Sequence, residues 1–233
     1  MEHNRKQFKP IFNLALAGAL SLVLAACDNS TEPEGAAEAS STAEAYTGPD
    51  YSQVVSGGEV KGTVVFGDIT VGNPDAPITM IEYASMTCSH CATFHNSVLP
   101  EIKENYVKTG KVKMVFRNFI RDRMDLAVAM VTRCYGPDKT FDLMNLYFQR
   151  QRQWAVQDAM AEITNVARTA GISRLDLDSC LANSELQAHL LEMQKAGSAA
   201  GVNATPTFFI NGEKYVGAGN YEIFSEMFED ELN

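Results

Sequence analysis

Apolar and polar positions along the chain fall into three regimes. Residues 11–26 form an apolar run behind a short cationic segment carrying Arg5, Lys6 and Lys9, and residues 28–50 then have almost no apolar bulk. From about residue 51 onward the pattern alternates between a period of two and a period near four. Residues 62–69 and 78–84 read as strands, the second strongly (ITMIEYA). Residues 88–109 read as a helix with Phe94, Val98, Ile102 and Tyr106 four apart on one face, kinked at Pro100 and ended by Gly110. The alternating KVKMVF of residues 111–116 is a strand. Strand, helix and strand in so short a span predict a parallel βαβ unit. A helical block follows over about 121–201, with helices expected at 125–134, 140–151, 156–170 and 184–200. TPTFFING (205–212) and KYVGA (214–218) read as a hairpin about Asn211-Gly212, and residues 221–232 as a closing helix.

The first two regimes concern targeting. An apolar run of 16 residues is short of the ~20 that span a bilayer, and with its cationic flank it reads as a secretory signal, residues 1–26. It ends in Leu24-Ala25-Ala26-Cys27, which resembles the bacterial lipobox, whose cysteine is acylated and becomes the new N-terminus; ordinary cleavage after Ala25-Ala26 is the alternative. Asp28 resembles the signal that keeps such lipoproteins in the inner membrane. Residues 27–50 are small, polar and acidic, so they read as a flexible tether that holds the domain roughly 25 to 30 Å from the lipid. The whole chain carries 19 Lys and Arg against 29 Asp and Glu; without residues 1–26 the balance is 16 minus 28, or −12. That surplus argues against nucleic acid as a partner. Residues 51–233 are the right size for one domain with an insertion, and no internal repeat is evident.

The candidate chemistry sits in TCSHCATFH, residues 87–95, where two cysteines stand three apart at a predicted helix start. Three readings compete. A zinc site needs four ligands, usually two close pairs, and the other cysteines of the domain, Cys134 and Cys180, are far apart in the sequence. A structural clip over so small a loop restrains the unfolded chain little. A redox pair accounts for more of the local chemistry: in the first helical turn, unpaired N–H groups and the helix dipole stabilise a Cys88 thiolate. His90 can add positive charge or a donor, or be a solvated residue with no electronic role. A low-pKa thiolate is a good leaving group, which makes the Cys88–Cys91 disulfide oxidising toward others. Cys91, one turn further in, is expected to be the buried resolving thiol.

The strand ITMIEYASM followed by CSHC, the kinked helix, the helical insertion and the Thr-Pro of VNATPTFFING together resemble the DsbA family of bacterial periplasmic disulfide oxidoreductases over residues 67–233. The resemblance implies an α/β, thioredoxin-like fold with an inserted helical domain. It implies Cys88 as the attacking cysteine and Cys91 as its buried partner. Pro206 matches the family's cis-proline, which packs against the redox pair, and Thr205 before it would help set substrate handling. Glu82 matches the acid beneath the resolving cysteine, placed to relay a proton to or from Cys91; a surface glutamate on an edge strand is the alternative. Ser89 stands where strongly oxidising members often carry proline. Cys134 and Cys180 resemble the second cysteine pair of another branch, a disulfide with a stabilising or tuning role; two buried free thiols are the alternative.

The resemblance further implies cysteine-containing client proteins, a quinone-linked membrane oxidase of the DsbB type as reoxidant, no cofactor and no metal. The lipid anchor places it in the periplasm at the inner membrane, and the sixteen residues 51–66 between tether and fold, too few for the N-terminal dimerisation domain of the dimeric isomerases, predict a monomer. Two other readings remain at this level: a reductase or isomerase of the same fold, and a non-enzymatic metal-binding lipoprotein. His95 reads as a helix-face residue and not a catalyst. Trp154 and His189 read as core or surface, Met86 as core or as the border of a substrate surface, and Arg117, Arg121 and Arg123 as a solvated, ion-paired edge.

Overall fold

The structure, a computed structural model, describes residues 54–55 and 59–233. The signal segment, Cys27 and the tether therefore lie outside the described residues. In chain order the strands are β1 (Val54–Val55), β2 (Val60–Lys61), β3 (Val64–Val65), β4 (Ile69–Val71), β5 (Ile78–Ala84), β6 (Val112–Asn118), β7 (Thr207–Ile210) and β8 (Glu213–Val216). Six of them form one mixed sheet in the order β1-β4-β6-β5-β7-β8, while β2 and β3 pair apart as a small hairpin. The centre is the expected parallel unit: β5 runs beside β6 from Ile78 opposite Val112 to Ala84 opposite Asn118. On its other edge β5 pairs antiparallel with β7, placing Glu82 opposite Phe208. The β7–β8 turn is the predicted Asn-Gly, with φ of 46° at Asn211 and 95° at Gly212, the two positive values that a type I′ turn requires.

The expected single strand over 62–69 is instead two, β3 and β4, parted at Phe66-Gly67-Asp68. Gly67 has φ of 54°, and no extended strand passes through a positive φ. The three carbonyls of Val65, Phe66 and Gly67 all accept from Nη1 of Arg133, at 3.2, 3.3 and 2.7 Å. Arg133 is fully buried; its Nε donates to Asn118 Oδ1 at 2.8 Å and its Nη2 points at Met193 Sδ. Burial pushes its pKa down to about 10, against the pull of Asp68, so the guanidinium remains charged at neutral pH.

The helix after β5 opens as α1 (Ser89–Thr93), continues through a π turn at Phe94–Val98 and α2 (Leu99–Ile102), and ends in a second π turn at Lys103–Val107. Pro100 has no N–H, and its ring excludes the carbonyl four residues back, so the expected kink takes the form of a widened turn. Phe94, Val98, Ile102 and Tyr106 are all buried, and Tyr106 Oη reaches Ser225 Oγ (2.7 Å) and Glu229 Oε1 (2.9 Å). Rings of Phe94, Phe208 and Phe224, with centroids 4.6 to 5.3 Å apart, lock this helix to β7 and to the closing helix.

The insertion holds α3 (Arg123–Arg133), α4 (Pro137–Gln149), α5 (Gln151–Trp154), α6 (Ala159–Thr169), α7 (Arg174–Leu181) and α8 (Ser184–Ala199); α9 (Tyr221–Leu232) ends the chain. Helix α7 is missing from the sequence reading because only Leu177 and Cys180 of its eight residues are buried, too few to set a period. Its cap was visible as Ser173, whose hydroxyl accepts from the Asp176 N–H. The helix expected at 156–170 begins only at Ala159. Trp154 is core, donating Nε1–H to the Tyr147 carbonyl, and Arg117 is a half-buried partner of Asp68 and of Tyr83 Oη, not a solvated edge. Met86 is fully buried, which removes it from any substrate surface. Among the described residues no helix is long and apolar enough to cross a membrane.

Helix α8 covers the other face of the sheet through Gly197, where an added Cβ would lie 2.8 Å from the Tyr83 ring. Tyr83 cannot swing away freely, being 4% exposed with Oη held by Arg117. Gly197→Ala would gain about 1 kcal/mol of helix propensity and lose about 1–3 kcal/mol to overpacking. We expect a net loss, seen as a lower urea midpoint; a raised midpoint would mean that α8 moves off the sheet at no penalty.

Candidate active site

Cys88 is the N-cap of α1, with extended φ and ψ of −81° and 120°, and Cys91 lies in the first turn. The chain turns sharply there because β5 ends at Ala84 and the loop after it is gripped by the helical insertion. The buried Asp125 carboxylate accepts from the N–H of Met86 (2.7 Å) and of Arg121 (2.9 Å). Gln151, from α5, donates Nε2 to the carbonyls of Met86 (2.8 Å) and Cys88 (2.9 Å). Thr87 Oγ1 donates to Asp122, the N-cap of α3. None of these holding residues was singled out from the sequence, and no pattern in it marks them. Burial raises Asp125 to about 6, opposed by its bonds to Ser85, Arg121 and Met86.

The two free thiols differ sharply. Cys88, at 4% exposed, has its pKa lowered to about 4. The first cause is the hydrogen bond from the Cys91 thiol; burial opposes it, and the Thr205 side chain and the N–H groups of Cys91 and His90 assist. The Thr205 carbonyl, 3.2 Å from Cys88 Sγ, accepts from the protonated thiol and so works against the anion, but the donors outweigh it. Cys91 is fully buried and its pKa is raised well above the ordinary thiol value, first by burial, then by its bond to Cys88 and the negative charge of Glu82. His90 is exposed, and what it gives the thiolate is its backbone N–H; Ser89 is exposed beside it.

The Thr205–Pro206 peptide is cis, as expected, and Thr205 faces Cys88. Glu82 is fully buried on β5, not a surface carboxylate, and pairs with His95 Nε2 at 3.0 and 3.2 Å. His95 does lie on a helix face, but a buried one: its ring stacks on Phe148 at 4.2 Å, and Nδ1 faces Asn145 Oδ1 at 3.4 Å. Its position four residues after Cys91 was the available signal, since i and i+4 share a face. Cys134 and Cys180 form a disulfide between the end of α3 and α7, which leaves neither available to join Cys88 and Cys91 around a metal. Among the described residues no cluster of three or more His, Cys, Asp or Glu side chains is placed to hold a metal ion.

A thiolate at Cys88 also ties stability to pH. Its depressed ionisation adds stability to the reduced fold that is complete above the unfolded thiol value near ~8.5 and is lost as pH falls through about 4. The oxidised protein lacks this contribution. Thiolate ultraviolet absorbance of the reduced protein should titrate near pH 4, and acidifying from neutral pH toward 4 should lower the denaturation midpoint of the reduced form more than that of the oxidised form. A titration near the free-thiol value would overturn the assignment.

Comparison with known proteins agrees with this geometry. The thioredoxin family model matches residues 65–230. A Rickettsia conorii protein named as a protein-disulfide oxidoreductase is 35% identical over 159 residues, covering 67% of this chain and 56% of that protein. Across the rickettsial relatives matched, the chain spans 56 to 61% of their length. The crystal structure of Wolbachia pipientis alpha-DsbA1 superposes with a TM-score of 0.66 at 29% identity, over 70% of this chain and 89% of that one. A structure titled protein-disulfide isomerase, from Novosphingobium aromaticivorans, gives a TM-score of 0.63 at 27% identity, over 72% and 98%. The matched segment takes in the helix start at Cys88, the helical insertion and the strand after Pro206, and by it this chain belongs to the thioredoxin family, in its DsbA-like branch.

Proposed function

We propose that the protein is a thiol–disulfide oxidoreductase that introduces disulfide bonds into secreted or periplasmic client proteins. The observation that carries this reading is the opposite displacement of two thiols one turn apart: Cys88 down to about 4, Cys91 well above its ordinary value. A sulfur so stable as an anion is a good leaving group, so the Cys88–Cys91 disulfide gives itself up readily. A client thiolate attacks Cys88 Sγ, and the electron pair of the Cys88–Cys91 bond leaves on Cys91, which takes a proton by way of Glu82. The second client cysteine, as thiolate, then attacks the client sulfur of the mixed disulfide. Cys88 departs as thiolate and the client leaves oxidised.

In this reading Thr205 and Pro206 receive the client backbone beside Cys88, and Ser89 and His90 tune the thiolate from the exposed helix start, His90 through its backbone N–H. Cys134–Cys180 is a structural staple, worth roughly 4 kcal/mol by loop-closure reasoning at a separation of 46 residues. The reduced pair would be reoxidised by a quinone-linked membrane oxidase of the DsbB type, and a monomer anchored through an acylated Cys27 on the tether would stand close to it in the periplasm, at the inner membrane. A second reading, isomerase, is supported by the likeness to the Novosphingobium structure with that title. It would run the same sulfurs with the pair held reduced.

Replacing the resolving thiol tests the assignment of roles. Cys91→Ala should accumulate client–Cys88 mixed disulfides, seen on non-reducing gels and dissolved by reductant; their absence would remove Cys88 as the attacked sulfur. Direction is decided by the reduction potential in glutathione buffers. A value toward the ~−120 mV of strong oxidants is expected; one near the ~−270 mV of thioredoxin would make the protein a reductant.

A further inference from the structure

The mechanism needs a proton to come and go at a sulfur that water does not reach, and Glu82 is not alone there. His95 and Glu82 are both wholly enclosed as side chains, from the first helix and from β5. Asn145, on α4, closes the chain at His95 Nδ1, and its own Nδ2 has no partner among the described residues. A buried amide with one unsatisfied end needs a reason. We propose that Glu82, His95 and Asn145 form an internal proton store for Cys91, in which the imidazole keeps the carboxylate free to take the Cys91 proton and the amide turns to match the empty and the loaded state. The proposal rests on the thiol–disulfide exchange set out above, and His95 and Asn145 act in it as positioning residues.

Hydrogen-bond inventory fixes the two states. In the empty state Nε2–H donates to the Glu82 carboxylate, and bare Nδ1 accepts from the Asn145 amide nitrogen. In the loaded state the couple holds one proton more: both ring nitrogens carry hydrogen, Nε2–H toward Glu82 and Nδ1–H toward Asn145 Oδ1. In the structure the amide oxygen faces Nδ1 at 3.4 Å, and a half turn of the amide presents its nitrogen there instead. The surroundings are otherwise ring carbon, from Phe94, Phe116, Phe141 and Phe148. The titratable groups facing the couple are Cys91 and, beyond it, Cys88; the next charges are Lys103, over the Phe141 ring, and Asp142 beside Lys103. The other buried carboxylate at this end of β5, Asp125, is committed to the N–H groups of Met86 and Arg121 and to Ser85.

The store matters most when the pair is oxidised. With glutathione disulfide as oxidant, the Cys88 thiolate takes one glutathione sulfur and releases the other as thiolate. Cys91–SH then gives its proton to the store and attacks Cys88 Sγ; the Sγ–Sγ bond forms and the second glutathione leaves with the electron pair of the broken bond. Two electrons pass to glutathione disulfide, and the stored proton goes to the departing thiolate or to solvent. Without the imidazole, the Glu82 carboxylate loses the donor that faces both of its oxygens at 3.0 and 3.2 Å.

The test is the rate at which the Cys88–glutathione mixed disulfide resolves, read by rapid acid quench and mass, across about pH 5 to 9 with saturating glutathione disulfide. In the mixed disulfide Cys88 carries no proton to titrate, so the profile reports Cys91. His95→Gln, which can still hydrogen-bond but cannot hold the proton, should resolve at least about tenfold slower at the acid end, with its profile displaced to higher pH and converging on wild type at the alkaline end. Glu82→Gln should lose the accelerated acid limb, and the double variant should be no slower than Glu82→Gln alone. A His95→Gln profile that superposes on wild type, or strictly additive losses, would overturn the proposal. If His95→Gln fails to converge at high pH, its fold is damaged, and Asn145→Leu, which leaves both titratable groups in place, decides: the same upward displacement sustains the store and an unmoved profile ends it. A wild-type protein that forms no mixed disulfide would defeat the exchange chemistry itself, a different and distinguishable result.

Discussion

A sulfur anion has to be stable at Cys88 and unstable one helical turn away at Cys91, and the rest of the site follows from how the fold meets both demands. The first turn of a helix supplies N–H groups that no intrahelical carbonyl uses, and these favour charge only at the very end. Cys88 sits there as the N-cap, receiving the N–H of His90 and Cys91 together with the Cys91 thiol. Cys91 has already passed inside, where desolvation and the charge of Glu82 oppose ionisation. A displacement of the helix start by one residue would put both sulfurs in the wrong dielectric.

That position is held from outside the thioredoxin core. Asp125, Asp122 and Gln151 all belong to the helical insertion, and all bind the loop between β5 and α1. Arg133 fixes the insertion in turn, joining α3 to the end of β6, to the β3–β4 connection and to α8 through one buried guanidinium. Neighbouring Cys134 then ties the end of α3 to α7. The insertion is thus the mould in which the active-site loop is cast, and its tightest points are buried polar groups bonded largely to backbone.

How much of this could be read from the chain depends on range. Elements specified by local chemistry were legible: the ITMIEYA strand, the Asn-Gly hairpin, the helix start at Cys88. Boundaries set by partners distant in sequence were not. The break at Gly67 answers to Arg133, some 66 residues away, and Gln151 reaches a carbonyl 63 residues before it. His95 shows the middle case. Its spacing from Cys91 placed it on a shared face, but whether that face met solvent or Glu82 depended on β5 and α4 arriving from elsewhere.

The π turns in the first helix have a geometric consequence of their own. Phe94, Val98, Ile102 and Tyr106 repeat every four residues, whereas an ordinary helix turns about 100° per residue. A strict repeat of four would drift by about 40° at each step and about 120° by Tyr106, carrying that ring off α9 and away from Ser225 and Glu229. Two five-residue turns underwind the helix and cancel the drift, so a stripe written at the wrong period still runs straight. The helix works like a gear cut to an unusual tooth count: it meshes with α9 at one end and sets Cys91 and His95 in phase at the other only while both wide turns are kept.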